Sequence, residues 1–153
     1  MESIFEEFED MDFDEYKLNE LTAGDILDAE INLNINLPKE YIELLKIQNG
    51  RYLKYKALPV SFKNSYADDH IAVDFLFGIK ENEGIYKSKY LLNEWGIKKK
   101  DFVTISGDEH TWLVLDYRKN KDEPEITFID TEENKISVIF KTFKEFVQIH
   151  WWI

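Results

Sequence analysis

The sequence predicts an α+β domain in which a single antiparallel β-sheet carries helices packed against it. Three observations predict it. Apolar residues recur at helical spacing over roughly the first third of the chain and again near its end, but at alternate positions in between. The alternating segments are joined by short turns, Ser106-Gly107-Asp108 and Glu132-Glu133-Asn134. Such turns connect antiparallel neighbours, because a parallel pair needs a crossover of about a dozen residues. The order helices, strands, one helix, strands, helix is that of a segregated α+β layout.

Residues 2–10 place Ile4, Phe5, Phe8 and Met11 at helical spacing among Glu6, Glu7, Glu9 and Asp10, which reads as an amphipathic acidic helix. A second helix starts after Thr22, which caps it with Asp25 three residues on. Ile26, Leu27 and Ile31 are expected to face inward, and Asn32-Leu33-Asn34-Ile35-Asn36 ends the helix. A third follows Pro38, with Tyr41, Leu44 and Leu45 on one face and Asn49-Gly50 as its stop. Ile71, Val73, Phe75 and Phe77 then alternate as one strand with an apolar face. Residues 102–106, 111–117, 125–130 and 135–140 read as further strands, with a short helix from Ser88 to Trp95 stopped at Gly96. Thr142 and Glu145 open a last helix, whose inward stripe is Phe143, Phe146, Val147 and Trp151.

One domain of 153 residues is expected, with residues 1–20 as an acidic amphipathic extension, and the 44% apolar content supports a core without staples. No cysteine is present, which excludes disulfides and thiol chemistry and suits a reducing compartment. The start, MESIFEEFED, has neither a basic region nor a long apolar run, so a cytoplasmic location is expected. The net charge of −12 argues against nucleic acid and anionic membranes as partners and favours basic protein surfaces. That charge is uneven. Residues 1–30 hold 12 acids against one base, Lys17, a net −11, while the remaining chain is close to neutral.

No spacing for enzymatic chemistry emerges. His70, His110 and His150 form neither HxH nor HExxH, so no metal or other cofactor is expected. Ser106, Asp108 and His110 supply the residue types of a hydrolase triad, but they crowd one turn with no nucleophile elbow. Carboxylate pairs at Asp68-Asp69, Glu81 with Glu83, Asp108-Glu109 and Glu132-Glu133 fall in expected loops, where solvated charge is the simple reading. There is no phosphate-cradling glycine loop, and Lys98-Lys99-Lys100 is too short a basic run for a nucleic-acid footprint.

A set of motifs resembles the SUKH superfamily, the Smi/Knr-type domain. It comprises Leu37-Pro38, Tyr41, Leu44-Leu45, Asn49-Gly50, Phe77-Gly78-Ile79, Ser106-Gly107-Asp108, Trp112, Leu115-Asp116, Ile129-Asp130, Phe143 and Phe146. The match runs from about residue 22 to 149, in the family's order and spacing. The resemblance implies a non-enzymatic α+β domain. Its bacterial members resemble immunity proteins encoded beside polymorphic toxins, including LXG toxins, many of them nucleases. Fungal members resemble regulatory scaffolds, which gives the alternative reading of a scaffold that binds an endogenous enzyme. Most motif residues have plain structural roles: Pro38 starts a helix, Gly107 serves a tight turn, Trp112 fills core, and Asp116 and Asp130 bond backbone at strand ends.

The expected function is therefore neutralisation of a toxin's C-terminal domain by occluding its basic active-site surface, with no small-molecule substrate. Candidate contact residues are Asp10, Asp12, Asp14, Glu15 and Tyr16 in the acidic segment. A competing group on loops of the domain is Tyr66, Asp68, Asp69, Glu81 and Glu83. Acids give steering, and aromatic residues beside them give the desolvated anchors that binding energy needs.

Overall fold

The structure, a computed structural model, describes residues 18–53, 57–97, 101–107 and 110–148. The expected acidic helix at 2–10, Asp108 and Trp151 lie outside them. Helix α1 (Ala23–Leu33) opens with the expected capping box: the Thr22 hydroxyl accepts from Asp25 N–H, and the Asp25 carboxylate accepts from Thr22 N–H. It closes at Asn34, which takes the left-handed conformation at φ 55°. Helix α2 (Lys39–Ile47) follows Pro38 at its N-cap and buries Tyr41, Leu44 and Leu45. It stops two residues short of the expected Asn49-Gly50, at an extended Gln48, and Gly50 uses its φ of 85° to turn the chain into the next strand.

Among the described residues the expected single sheet is instead one four-stranded sheet and three two-stranded ribbons. The ribbons pair β1 (Arg51–Tyr52) with β4 (Phe75–Leu76), β2 (Ala57–Pro59) with β3 (His70–Ala72), and β5 (Ile79–Lys80) with β6 (Glu83–Gly84). The alternating run from Ile71 to Phe77 is thus split at Val73 and Asp74 between two different partners. Alternation reports extended backbone; which segment pairs with it is decided by long-range packing. The main sheet has the order β10-β9-β8-β7, all antiparallel, with β7 (Phe102–Gly107), β8 (Thr111–Asp116), β9 (Glu125–Asp130) and β10 (Lys135–Phe140).

Strands β7, β8 and β9 are covered on both faces, while β10 is largely exposed. Val103, Ile105, Leu113, Leu115, Ile126 and Phe128 meet the core that α1, α2 and α4 (Phe143–Gln148) also line, with the Phe143 ring 5.3 Å from Tyr41. Phe102, Trp112, Val114 and Ile129 form a second cluster with Leu92 of α3 (Ser88–Glu94). Double coverage explains why β8 is buried at every position. The Ser88 hydroxyl donates to Ile85 C=O at 2.6 Å and accepts from Thr104 N–H at 2.9 Å, tying α3 to β7.

Helix α1 departs from expectation in its orientation. Ala29 is fully buried and Ile26 and Leu33 are partly so, but Leu27 is 58% and Ile31 69% exposed. Ile26, Ala29 and Leu33 sit three and four apart on one face, whereas Leu27 and Ile31 fall on the opposite one. Both stripes carry helical spacing, so periodicity alone does not choose between them.

Asp116 ties the end of β8 to the loop that follows it and to β9. Its carboxylate accepts from the Arg118 guanidinium at 2.8–3.1 Å, from Arg118 N–H at 3.0 Å and from the Thr127 hydroxyl at 2.7 Å. Burial raises its pKa, but the bonds from Arg118 and Thr127 outweigh that and hold it below the usual carboxylate value. A folded-state pKa below the unfolded one contributes stability at pH values above the unfolded pKa, and that contribution is lost as pH falls through the folded one. Asp116→Asn is therefore expected to cost about 2 kcal/mol at pH 7 and progressively less below pH ~4. Denaturant titrations of both proteins across that range check it; a penalty independent of pH would refute the assignment.

Candidate functional site

The surface of most interest lies where α1 meets the β5–β6 hairpin, and it is built from beneath by Asn49. The Asn49 side-chain amide donates to Ile79 C=O and to Asn19 C=O, both at 2.9 Å, and its carbonyl accepts from Ile79 N–H at 2.8 Å. One buried side chain thus pairs with Ile79 as a neighbouring strand would, and holds the chain entering α1. Leu18 N–H donates to Asn49 C=O at 2.8 Å, which fixes the start of the described chain at this corner. Gly78 lies directly on Asn49: an added Cβ would sit 2.5 Å from Asn49 Oδ1 and 2.6 Å from its carbonyl oxygen. Tyr41, fully buried, donates from its hydroxyl to Phe77 C=O at 2.6 Å. Burial, and then Tyr117, pushes that phenol well above its ordinary pKa, so it stays a donor.

On this base the hairpin turns at Glu81-Asn82, with Asn82 in the left-handed region at φ 64°. Gly84 follows at φ 57°, against the Gly78 carbonyl, and Ile85 N–H donates to that same carbonyl at 3.1 Å. The turn of 3-10 helix at Ile85–Lys87 then presents Tyr86 back towards α1. A groove of about 200 Å³ results, lined by Asp25, Asp28 and Asn32 from α1, by Glu81 and by Tyr86. The α1 residues stand three and four apart, which places them on one helix face. Burial, and then the charges of Asp28, Glu81 and Asp25, raise the Tyr86 pKa. The groove therefore offers three carboxylates, a carboxamide and a protonated phenol. Chemically it suits a Lys or Arg side chain, which carries donors and positive charge together. Among the described residues no three His, Asp or Glu gather at metal-binding spacing.

Of the residues expected to bind, the structure brings Glu81 into the groove. Glu83 is half-buried in β6, opposite Lys80, and does not line it. Tyr66, Asp68 and Asp69 belong to a different neighbourhood. The Tyr66 hydroxyl shares a 3.0 Å hydrogen bond with Thr111, and the Asp69 carboxylate bonds His70 Nδ1 at 2.9 Å. The competing loop group thus divides in two. Asp10, Asp12, Asp14, Glu15 and Tyr16 lie outside the described residues. Sequence reasoning missed Asp25 and Asn32 as groove residues, and Asp28 and Tyr86 altogether. Their polar i, i+3, i+7 spacing was the available signal, hidden because Leu27 and Ile31 were placed inward.

The described motif residues pack and hydrogen-bond within the fold. Leu37, Pro38 and Leu45 are buried, and Leu37 N–H donates to the Glu30 carboxylate at 2.9 Å. Asp130 accepts from Ser65 N–H at 2.9 Å and from Glu132 and Glu133 N–H at 3.2 Å, locking the β9–β10 turn onto the loop before β3. Trp112 fills core as expected, 3% exposed. Gly107 ends β7 without a positive φ, and the turn it leads into, residues 108–109, lies outside the described residues. It provides clearance: a Cβ would lie 2.1 Å from the Trp112 ring across the β7–β8 pair.

Fold and site together define an α+β domain with helices, antiparallel sheets and an acidic groove, its motif residues committed to architecture. The chain belongs to the SMI1/KNR4 family (SUKH-1), which it matches over residues 20–149. Comparison with curated proteins finds no match. No helix among the described residues is long and apolar enough to cross a membrane.

Proposed function

We propose that the protein is a bacterial immunity protein of the cytoplasm that binds and neutralises the C-terminal domain of a cognate toxin, a nuclease of the LXG class. It acts by covering the toxin's basic active-site surface and catalyses nothing. A nuclease must present Lys, Arg or His to hold phosphates, and an acidic surface competes for them with nucleic acid. The observation that carries this reading is the −11 charge of residues 1–30. Asp25 and Asp28 belong to it and line the groove with Glu81. The rest of the acidic segment, proposed here as an extension over residues 1–20 of a single domain, leads in sequence to Leu18, whose N–H donates to Asn49, the residue that also holds the hairpin bearing Glu81. Family membership supports a protein partner. Complementary charge speeds capture by about 10–1000-fold at low salt, which suits a protein that must reach a toxin before it damages the cell.

The test is co-expression with the toxin C-terminal domain encoded beside the gene, scored by survival, with association rates measured on the purified pair. Reversing Asp10, Asp12, Asp14 and Glu15 to Lys, or Asp28 and Glu81 to Lys, is expected to slow association by about tenfold or more at low salt and to flatten its salt dependence. Reversing Asp68 and Asp69 is expected to change little. Full protection and unaltered rates in the first two sets would refute the proposal.

A further inference from the structure

We infer that α1 is the anchoring element of this face. Leu27 and Ile31 insert into an apolar seam of the partner, and Asp25, Asp28 and Glu81 hold the Lys or Arg residues flanking it, so the segment recognised is a cationic amphipathic helix. The inference rests on the proposed binding role and specifies its chemistry. Leu27 and Ile31 stand four apart, one turn of helix, and are 58% and 69% exposed. Each is followed by a groove residue, Asp28 and Asn32, one position and about 100° further round the helix. An aliphatic ridge therefore runs alongside the acidic groove on the same short helix. Binding energy concentrates in such apolar anchors once they are desolvated, while surrounding charges set partner choice.

Charge decides among the possible occupants. An anionic lipid surface is repelled by the three carboxylates beside the ridge. A second copy docked through α1 would bring the same carboxylates against their own kind. Residues 1–17 carry the apolar side chains Ile4, Phe5, Phe8 and Met11, but their acids outnumber Lys17 eight to one. A segment bearing both apolar side chains and positive charge satisfies ridge and groove together.

The experiment uses the full ¹⁵N-labelled chain and, as probe, a Leu/Lys peptide about four helical turns long with Leu on one face, with polylysine of equal charge as comparison. Saturable binding is expected, with shifts concentrated at residues 25–32 and 79–86. Leu27→Ser combined with Ile31→Ser is expected to weaken it by at least about tenfold at unchanged melting temperature, since both side chains stand in solvent. Asp28→Asn with Glu81→Gln should weaken it and reduce its salt dependence, and polylysine should be insensitive to the Leu27 and Ile31 changes. Shifts centred elsewhere, or an affinity indifferent to Leu27→Ser and Ile31→Ser, would overturn the inference. So would a dimer in sedimentation that the same pair abolishes, or displacement of the Leu27 and Ile31 signals by Phe5→Ser with Phe8→Ser. If the Leu27 and Ile31 variant still neutralised the toxin domain at full affinity, the anchor would fall and the immunity role would stand. Peptide binding mapped here with no toxin protection would do the reverse.

Discussion

Gly84→Ala is expected to destabilise the protein by about 3 kcal/mol or more, whereas Gly96→Ala should cost only about 1 kcal/mol. The two glycines share one backbone property and differ in another. Both have positive φ, 57° at Gly84 and 77° at Gly96, but Gly84 also has ψ −128°, outside the left-handed helical basin, a conformation that only glycine adopts without strain. Around Gly96 there is nothing within 4 Å of an added Cβ, while at Gly84 the Cβ would lie 2.0 Å from the Gly78 carbonyl oxygen. That oxygen is backbone, and it accepts from Ile85 N–H at 3.1 Å. It cannot swing aside as a side-chain tip could. Relief requires the hairpin to part from the strand entering it, which separates Glu81 from α1 and opens the groove. The difference between the variants, about 2 kcal/mol, combines the clash at Gly84 with its stricter backbone conformation. Urea denaturation midpoints of both measure it, and equal penalties would show that the close approach of Gly78 and Gly84 is not rigid. Gly84→Ala should also bind the partner less well than its folded fraction accounts for, since the groove is altered in the molecules that remain folded.

How much of this was legible beforehand follows from what each signal encodes. Helix ends were readable, because capping is local: Thr22 with Asp25, and Gly96 after α3, act over three or four residues. The four strands of the main sheet were readable too, since their apolar runs are long and their connections short. The ribbons were not. Two-residue strands such as β1 and β4 carry no periodicity, and their pairing depends on what Asn49, Gly78 and Tyr41 bring together from distant parts of the chain. The motif residues could be named without this, but Gly107 shows the limit: its chemistry suggested a turn, and nothing local to it revealed the close approach of a ring five positions away. At the site, Glu81 was legible as one acid among many. Its companions on α1 were not, because a helix with two plausible apolar stripes cannot reveal from sequence alone which one meets the core.

The Asn49 side chain gives the second large effect. Asn49→Ala is expected to cost about 3 kcal/mol, more than a typical surface substitution by several-fold. It leaves Ile79 N–H and C=O without the partners they have at 2.8 and 2.9 Å, at a residue only 1% exposed, and removes the bond to Asn19 C=O. Unpaired buried backbone groups cost about 1–3 kcal/mol each, and the emptied volume adds to that. Asn49→Asp tests whether donation is what counts. Its carboxylate can still accept from Ile79 N–H but must face two carbonyl oxygens, so at neutral pH it should be at least as damaging as Asn49→Ala. Because Asn49 joins the chain at Leu18 to the base of the hairpin, its loss should be felt locally first, as faster amide exchange from Ile79 to Ile85 before any change in the main sheet. It should also slow capture of the partner while leaving every acidic residue in place, because a groove whose walls move holds its charges in register only part of the time. If Asn49→Ala left both exchange and capture as in the parent protein, Asn49 would not be the element that positions Glu81 against α1, and the geometry of the acidic face would have to be held by Tyr41 and the glycine pair instead.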